Sequence, residues 1–277
     1  MKLAVTATPS EARFAAILLR GAIAETFALA SQYGYDGIEV HLRDPHDVDW
    51  EEIVELSQRY SLPVTTLGTG MAAGMDGLTF TDANSEVRMR AVGRMKEHIK
   101  LAARLGSAVT IGVLNGNLGN DVDQAAQARK HHFACLQECC HAAADVGVPL
   151  LLEPLNRYEC DWLNTTEDAL AVIEQLGAAN LKYLADTYHM TIEEVDIAAS
   201  IHRAGDSLGY VHLVDSNRCG PGQGHLAFRE VLNALIDVNY DGFLSFECLP
   251  RPDVDSILKN SLCYVKELLA EFATRGI

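Results

Sequence analysis

The sequence predicts a single (β/α)8 barrel, an α/β fold of eight parallel strands each followed by a helix, over residues 1–277. Three observations lead there. Short apolar runs alternate with longer amphipathic ones along the whole chain, the pattern of parallel β/α units. The alternation repeats eight times, and 277 residues is a usual length for such a barrel. No stretch rich in Pro, Gly or Ser divides the chain, which argues for one domain.

Strand-like runs start near Leu3, Gly37, Pro63, Ser107, Pro149, Leu181, Leu208 and Gly242. Helical patterns follow over 23–33, 50–60, 86–105, 124–146, 166–176, 197–204, 228–238 and 256–273. Gly34, Gly106, Gly147 and Gly177 stand where helices end, as a left-handed cap requires. Asp49 before Trp50-Glu51-Glu52, and Thr166 before Glu167-Asp168, read as N-caps with acidic first turns. A doubly wound open sheet would carry a glycine-rich turn after its first strand. Here the run Thr8-Pro9-Ser10-Glu11-Ala12 has no glycine, and Gly68-Thr69-Gly70 and Gly222-Gln223-Gly224 read as loop glycines.

The formal charge is −16, from 22 basic and 38 acidic residues. Such a surface repels phosphate backbones and anionic membranes, so neither nucleic acid nor a membrane is an expected partner. An anionic metabolite would need a local cation. The longest apolar runs are far too short to cross a bilayer. Seven cysteines are scattered without a CxxC pair, which fits reduced packing thiols. No basic segment with an apolar run precedes the first strand, and a cytoplasmic location is expected.

In a parallel barrel the C-terminal strand ends converge on one rim, where active sites sit. The fifth strand ends in Glu153, the sixth in Asp186, the seventh in His212 and the eighth in Glu247. One acid at a strand end is ordinarily a cap or a rim charge, and one His in an apolar strand is ordinarily a core residue. Four on adjacent strands crowd three carboxylates and an imidazole into one concave space. Their repulsion calls for a neutralising cation. One divalent metal is therefore expected, and oxygen-rich ligation without thiolate suits Mn²⁺ first, then Mg²⁺ or Co²⁺.

The runs Glu153-Pro154-Leu155-Asn156-Arg157-Tyr158-Glu159, Asp186-Thr187-Tyr188-His189-Met190, His212-Leu213-Val214-Asp215-Ser216-Asn217-Arg218 and Phe246-Glu247-Cys248 resemble the metal motifs of ketose 3-epimerases. That family belongs to the xylose-isomerase-like barrels, and the resemblance covers nearly the whole chain. It implies that Glu153, Asp186, His212 and Glu247 bind the metal, and that Glu159, His189 and Arg218 touch substrate oxygens. Arg43-Asp44-Pro45, Val48-Asp49-Trp50, Gly68-Thr69-Gly70 and Asp215-Ser216-Asn217-Arg218 resemble the members acting on a keto-sugar acid of the 5-keto-L-gluconate type more than those acting on neutral sugars. Arg43 is then the candidate to grip a substrate carboxylate. A small ketose or keto-sugar acid is the implied partner, and a homo-oligomer the implied assembly.

These groups imply an epimerase in which Glu153 and Glu247 flank the carbon beside a ketone, one removing its proton and the other returning one from the far side. Ordinary structural roles stand beside each assignment. Glu159 and Arg218 would pair with each other, His189 would cap a helix, and Arg43 would pair with Asp44 or cap one. Glu193-Glu194 reads as a solvated acidic pair, His131-His132 as solvated or packed, and Met71, Met75 and Trp162 as an apolar wall or as core. The nearest rival activity is an aldose–ketose or hydroxypyruvate-type isomerase, or a dehydratase, on the same metal. A metal-dependent nuclease would want a basic face, and a non-catalytic sugar-binding protein would not need both glutamates.

Overall fold

The alternation closes on itself. Eight strands, Lys2–Thr8 (β1), Gly37–His41 (β2), Val64–Gly68 (β3), Ala108–Ile111 (β4), Leu150–Leu152 (β5), Leu181–Asp186 (β6), Leu208–His212 (β7) and Phe243–Phe246 (β8), pair in sequence order, all parallel. The register Leu3↔Leu244 and Val5↔Phe246 brings β8 back to β1. Every strand starts within one residue of its expected position. The computed structural model describes residues 1–9 and 16–274; Ser10, Glu11 and Ala12 of the glycine-free run after β1 lie outside them.

The barrel helices are Ile23–Tyr33 (α1), Trp50–Tyr60 (α2), Ser85–Leu105 (α3), Val122–Ala144 (α4), Thr166–Leu176 (α5), Ile197–Ala204 (α6), Phe228–Asp237 (α7) and Leu262–Thr274 (α8). Asp49 caps α2 as expected, accepting from the N–H groups of Glu51 and Glu52. The cap of α5 is Thr165 and not Thr166. Only Thr165 has an acid three residues on, and Asp168 closes a reciprocal capping box with it. Short pieces add to the expected set, among them a two-residue strand Leu19–Arg20 beside the end of β1, helices Gly70–Asp76 after β3 and Thr187–Glu193 after β6, and single 3₁₀ turns such as Pro45–Asp47 and Val113–Asn115.

Strand side chains alternate between two environments. Outward residues such as Val40, Val109, Leu152, Ala185, Val211 and Leu244 join the main core against Phe27, Met95, Leu136 and Leu232 from the helices. Inward residues Leu151, Leu184 and Tyr210 form a separate small cluster that fills the barrel. Glu153, Asp186 and His212 each lie two residues further along the same strands. The period of two therefore turns all three inward, one layer above that apolar plug.

Candidate active site

Ligand-capable atoms of Glu153, Asp186, His212 and Glu247 all lie within 4.8 Å of one another, and all four residues are buried. Nδ1 of His212 faces Glu153 Oε1 at 3.1 Å, Asp186 Oδ2 at 3.5 Å and Glu247 Oε2 at 3.7 Å. Its Nε2 faces both oxygens of Glu39 at 3.2 Å.

The electrostatics follow from crowding. Burial opposes a charge on His212, but Glu39, Glu247 and Glu153 outweigh it and hold the imidazole pKa well above its usual value. Burial, with the neighbouring charge of Glu153, pushes the Glu247 carboxyl up to about 8. Asp186 is buried as deeply, yet His189 and His212 keep its carboxyl below the usual range. Asp186 Oδ2 has no hydrogen-bond partner. An orphaned carboxylate oxygen, two further carboxylates and an imidazole nitrogen turned on one point form a donor set that fits a divalent cation with mixed O/N ligation.

A cavity of about 240 Å³ adjoins these residues. Glu153, Glu247, Glu159, His189 and Arg218 line it, with Met71, Met75, Val113 and Leu155 as its apolar wall. His189 lies on the short helix capped by Asp186, whose Oδ1 accepts from the His189 N–H. The Asn156 backbone N–H donates to His189 Nδ1 at 3.0 Å, which places the ring proton on Nε2. That Nε2 is buried without a hydrogen-bond partner. It is a donor held ready at the cavity wall.

Arg218 bonds Glu159 at 3.0 Å and Glu247 at 3.3 Å, and its guanidinium lies 4.7 Å from the Tyr188 ring centroid. The Arg218–Glu159 pairing is thus formed, yet both residues remain on the cavity wall. Arg218 has φ 60°, a left-handed conformation, which the surrounding loop imposes. Buried Asp215 organises that loop. Its carboxylate accepts from the N–H groups of Ser216, Gly222, Gly224 and Leu226 at 2.7–3.1 Å.

Other sequence-derived candidates fall elsewhere. Arg43 does not line the cavity: it pairs with Asp76 at 2.6 Å, and 47% of its side chain is exposed. Asp44 pairs with Arg94 instead of Arg43. Glu193 and Glu194 are not a solvated pair. Glu193 holds Arg157 at 2.8 Å, and Glu194 accepts from Thr166 and Ser200. Trp162 packs on buried His132 and not over the cavity, whereas Met71 and Met75 do line it. The sequence reading passed over two residues, Glu39 and cavity-lining His41. A charge in the middle of a strand buried on both faces was the available signal.

The chain belongs to the xylose isomerase-like TIM barrel family, which it matches over residues 27–268. It is 34% identical over 245 residues to an L-ribulose 3-epimerase of Methylomonas sp. (strain DH-1), covering 88% of this chain and 84% of the relative. The crystal structure of a D-allulose 3-epimerase from Methylomonas sp. in complex with D-allulose superposes with a TM-score of 0.76 at 30% identity, over 95% and 89% of the two chains. A 3-keto-D-glucoside 4-epimerase from E. coli gives a TM-score of 0.79 at 25% identity, over 96% and 99%. Within the family, then, this is an isomerase-class enzyme, a sugar epimerase. Among the described residues no helix is long and apolar enough to cross a membrane.

Proposed function

We propose that the protein is a divalent-metal-dependent epimerase that inverts the carbon beside the ketone of a small ketose. The observation that carries this reading is the convergence of Glu153, Asp186, His212 and Glu247 on one buried point beside a small cavity. The relatives support it. A 3-epimerase acting on a 2-ketose and a 4-epimerase acting on a 3-keto sugar both invert a centre adjacent to a carbonyl.

A bound divalent cation, Mn²⁺ first and Mg²⁺ or Co²⁺ as alternatives, supplies Lewis acidity toward the oxygens beside the reacting carbon. The rest is the work of this chain. Glu153 and Glu247 reach the cavity from β5 and β8, with two strands between them. One carboxylate takes the proton from the carbon beside the ketone, and the C–H electron pair moves toward the carbonyl oxygen to give an enediolate. The other, protonated, gives its proton to the opposite face of that carbon. The centre is inverted, and the two carboxyls have exchanged protonation states. His189 Nε2–H and Arg218 donate to substrate oxygens and favour the charge that develops there. Glu159 holds Arg218 in place. Met71, Met75 and Leu155 exclude water from the reacting carbon.

The keto-sugar-acid version draws no support from Arg43, which lies outside the cavity and is engaged by Asp76. A free ketose is the substrate class we propose. Mn²⁺, cytoplasmic residence among reducing thiols and assembly as a homo-oligomer belong to the same reading.

The test is proton NMR of ketoses incubated with Mn²⁺-loaded protein in D₂O. Deuterium entering the carbon beside the ketone, with inversion, is the expected outcome. Exchange at a terminal carbon with aldose formation would show an aldose–ketose isomerase instead.

A further inference from the structure

We infer that Glu39, in the middle of β2, is a positioning residue that sets the tautomer of His212 and thereby turns its Nδ1 onto the cation; the inference rests on the metal reading above. Glu39 is fully buried. Its carboxylate meets two imidazoles, His212 Nε2 at 3.2 Å and His41 Nε2 at 3.1 Å. A buried carboxylate is an expensive group to keep inside a barrel unless specific donors hold it. Here the donors are specific.

The tautomer follows from proton counting. Ionised Glu39 only accepts, so each facing imidazole presents N–H at Nε2. For neutral His212 this leaves the Nδ1 lone pair directed at Glu153, Asp186 and Glu247, which lie 3.1–3.7 Å away. Without a cation those carboxylates favour a proton on Nδ1; a cation sitting among them takes that proton's place and accepts the Nδ1 lone pair as a ligand. Carboxylate–histidine–metal chains of this kind fix ring orientation and raise ligand basicity.

His41 completes the arrangement. It clamps Glu39 from the side and itself lines the cavity, with Nε2 3.8 Å from Glu247 Oε1. Gly68 of β3 makes room for it. A Cβ there would come within 2.4 Å of His41 Nδ1. Gly68, His41 and Glu39, none of them a proposed ligand, therefore link the cavity wall to His212 at the cation site.

The test compares wild-type protein with Glu39→Gln and Glu39→Asp. Glu39→Gln keeps the volume but places an amide donor against one of two N–H groups; Glu39→Asp keeps the charge on a shorter stem. Mn²⁺ affinity, read by calorimetry on EDTA-stripped protein, is expected to fall about 10–100-fold in Glu39→Gln and less in Glu39→Asp. Metal-free Glu39→Gln is expected to melt below wild type, because a buried N–H then meets an amide N–H, so Mn²⁺ affinity is read at a temperature where circular dichroism shows each protein folded. Equal Mn²⁺ affinity in wild type and Glu39→Gln overturns the inference while leaving the metal reading intact. A wild type that takes up no Mn²⁺ overturns both. Should Glu39→Gln not fold, ¹H–¹⁵N correlation spectra of the imidazoles in Mg²⁺-loaded wild type decide it: a His212 proton on Nε2 is expected, and a proton on Nδ1 overturns the inference.

Discussion

Gly112, just beyond β4, offers the sharpest test of how tightly Glu153, one of the two proposed catalytic carboxylates, is seated. A Cβ built on Gly112 would stand 2.5 Å from Glu153 Oε2 and 3.6 Å from Leu155 Cδ2. Ordinary contact needs at least about 3.4 Å, so in Gly112→Ala the Glu153 carboxylate must retreat by about 1 Å. Displacement by about 1 Å at a reacting group costs on the order of 100-fold in rate. That corresponds to about 2.7 kcal/mol of lost transition-state stabilisation. The clash falls on the end of a side chain, so fold stability should change little. The assay is steady-state kcat/KM for ketose epimerisation at saturating Mn²⁺, with thermal melts of the same samples. A Gly112→Ala enzyme that folds and works within about twofold of wild type would refute the placement of Glu153 at the reacting carbon.

Three further outcomes are expected. Asp215→Asn turns amide protons toward backbone N–H groups that now meet a carboxylate, so about 2–4 kcal/mol of stability should be lost; thermal melts check this, and kcat/KM should fall with it as Arg218 loses its loop. Asp76 is held below the ordinary carboxylate range, because Arg43 and Arg94 outweigh the effect of its burial. A depressed folded pKa stabilises above the unfolded value of about 3.9 and ceases to as pH falls through the folded one. The melting-temperature gap between wild type and Asp76→Asn should thus be full at neutral pH and close below about pH 4. Arg43→Ala should lower kcat/KM by less than about threefold, and equally on a neutral ketose and a keto-sugar acid, since an exposed ion pair contributes little; a selective loss on the acid would restore Arg43 as a carboxylate clamp.

How much was legible in the sequence varied with the range of the signal. Strand starts were readable because glycine and proline mark each helix-to-strand joint, and Gly34, Gly106, Gly147 and Gly177 all adopt positive φ. The four metal-ligand candidates were readable because barrel topology brings consecutive strand ends together. What depends on side-chain direction was not. Gly37-Ile38-Glu39-Val40-His41 alternates like a half-exposed strand, so the charge at Glu39 becomes a signal only once the barrel fold is taken to bury both faces of that strand. Arg43 beside the mouth of β2 carried no sign that Asp76, 33 residues away, would claim it. Glu193 and Glu194 looked solvated because their partners Arg157, Thr166 and Ser200 come from other loops and helices. Thr165 and Thr166 were separable only by counting three residues to Asp168.

The most direct test of the central claim is a count of bound metal. Protein stripped with EDTA, dialysed against Mn²⁺ and analysed by plasma mass spectrometry should carry one equivalent per chain, and Asp186→Asn should carry far less. Stripped wild type that takes up no divalent ion yet epimerises a ketose at full rate would contradict the account.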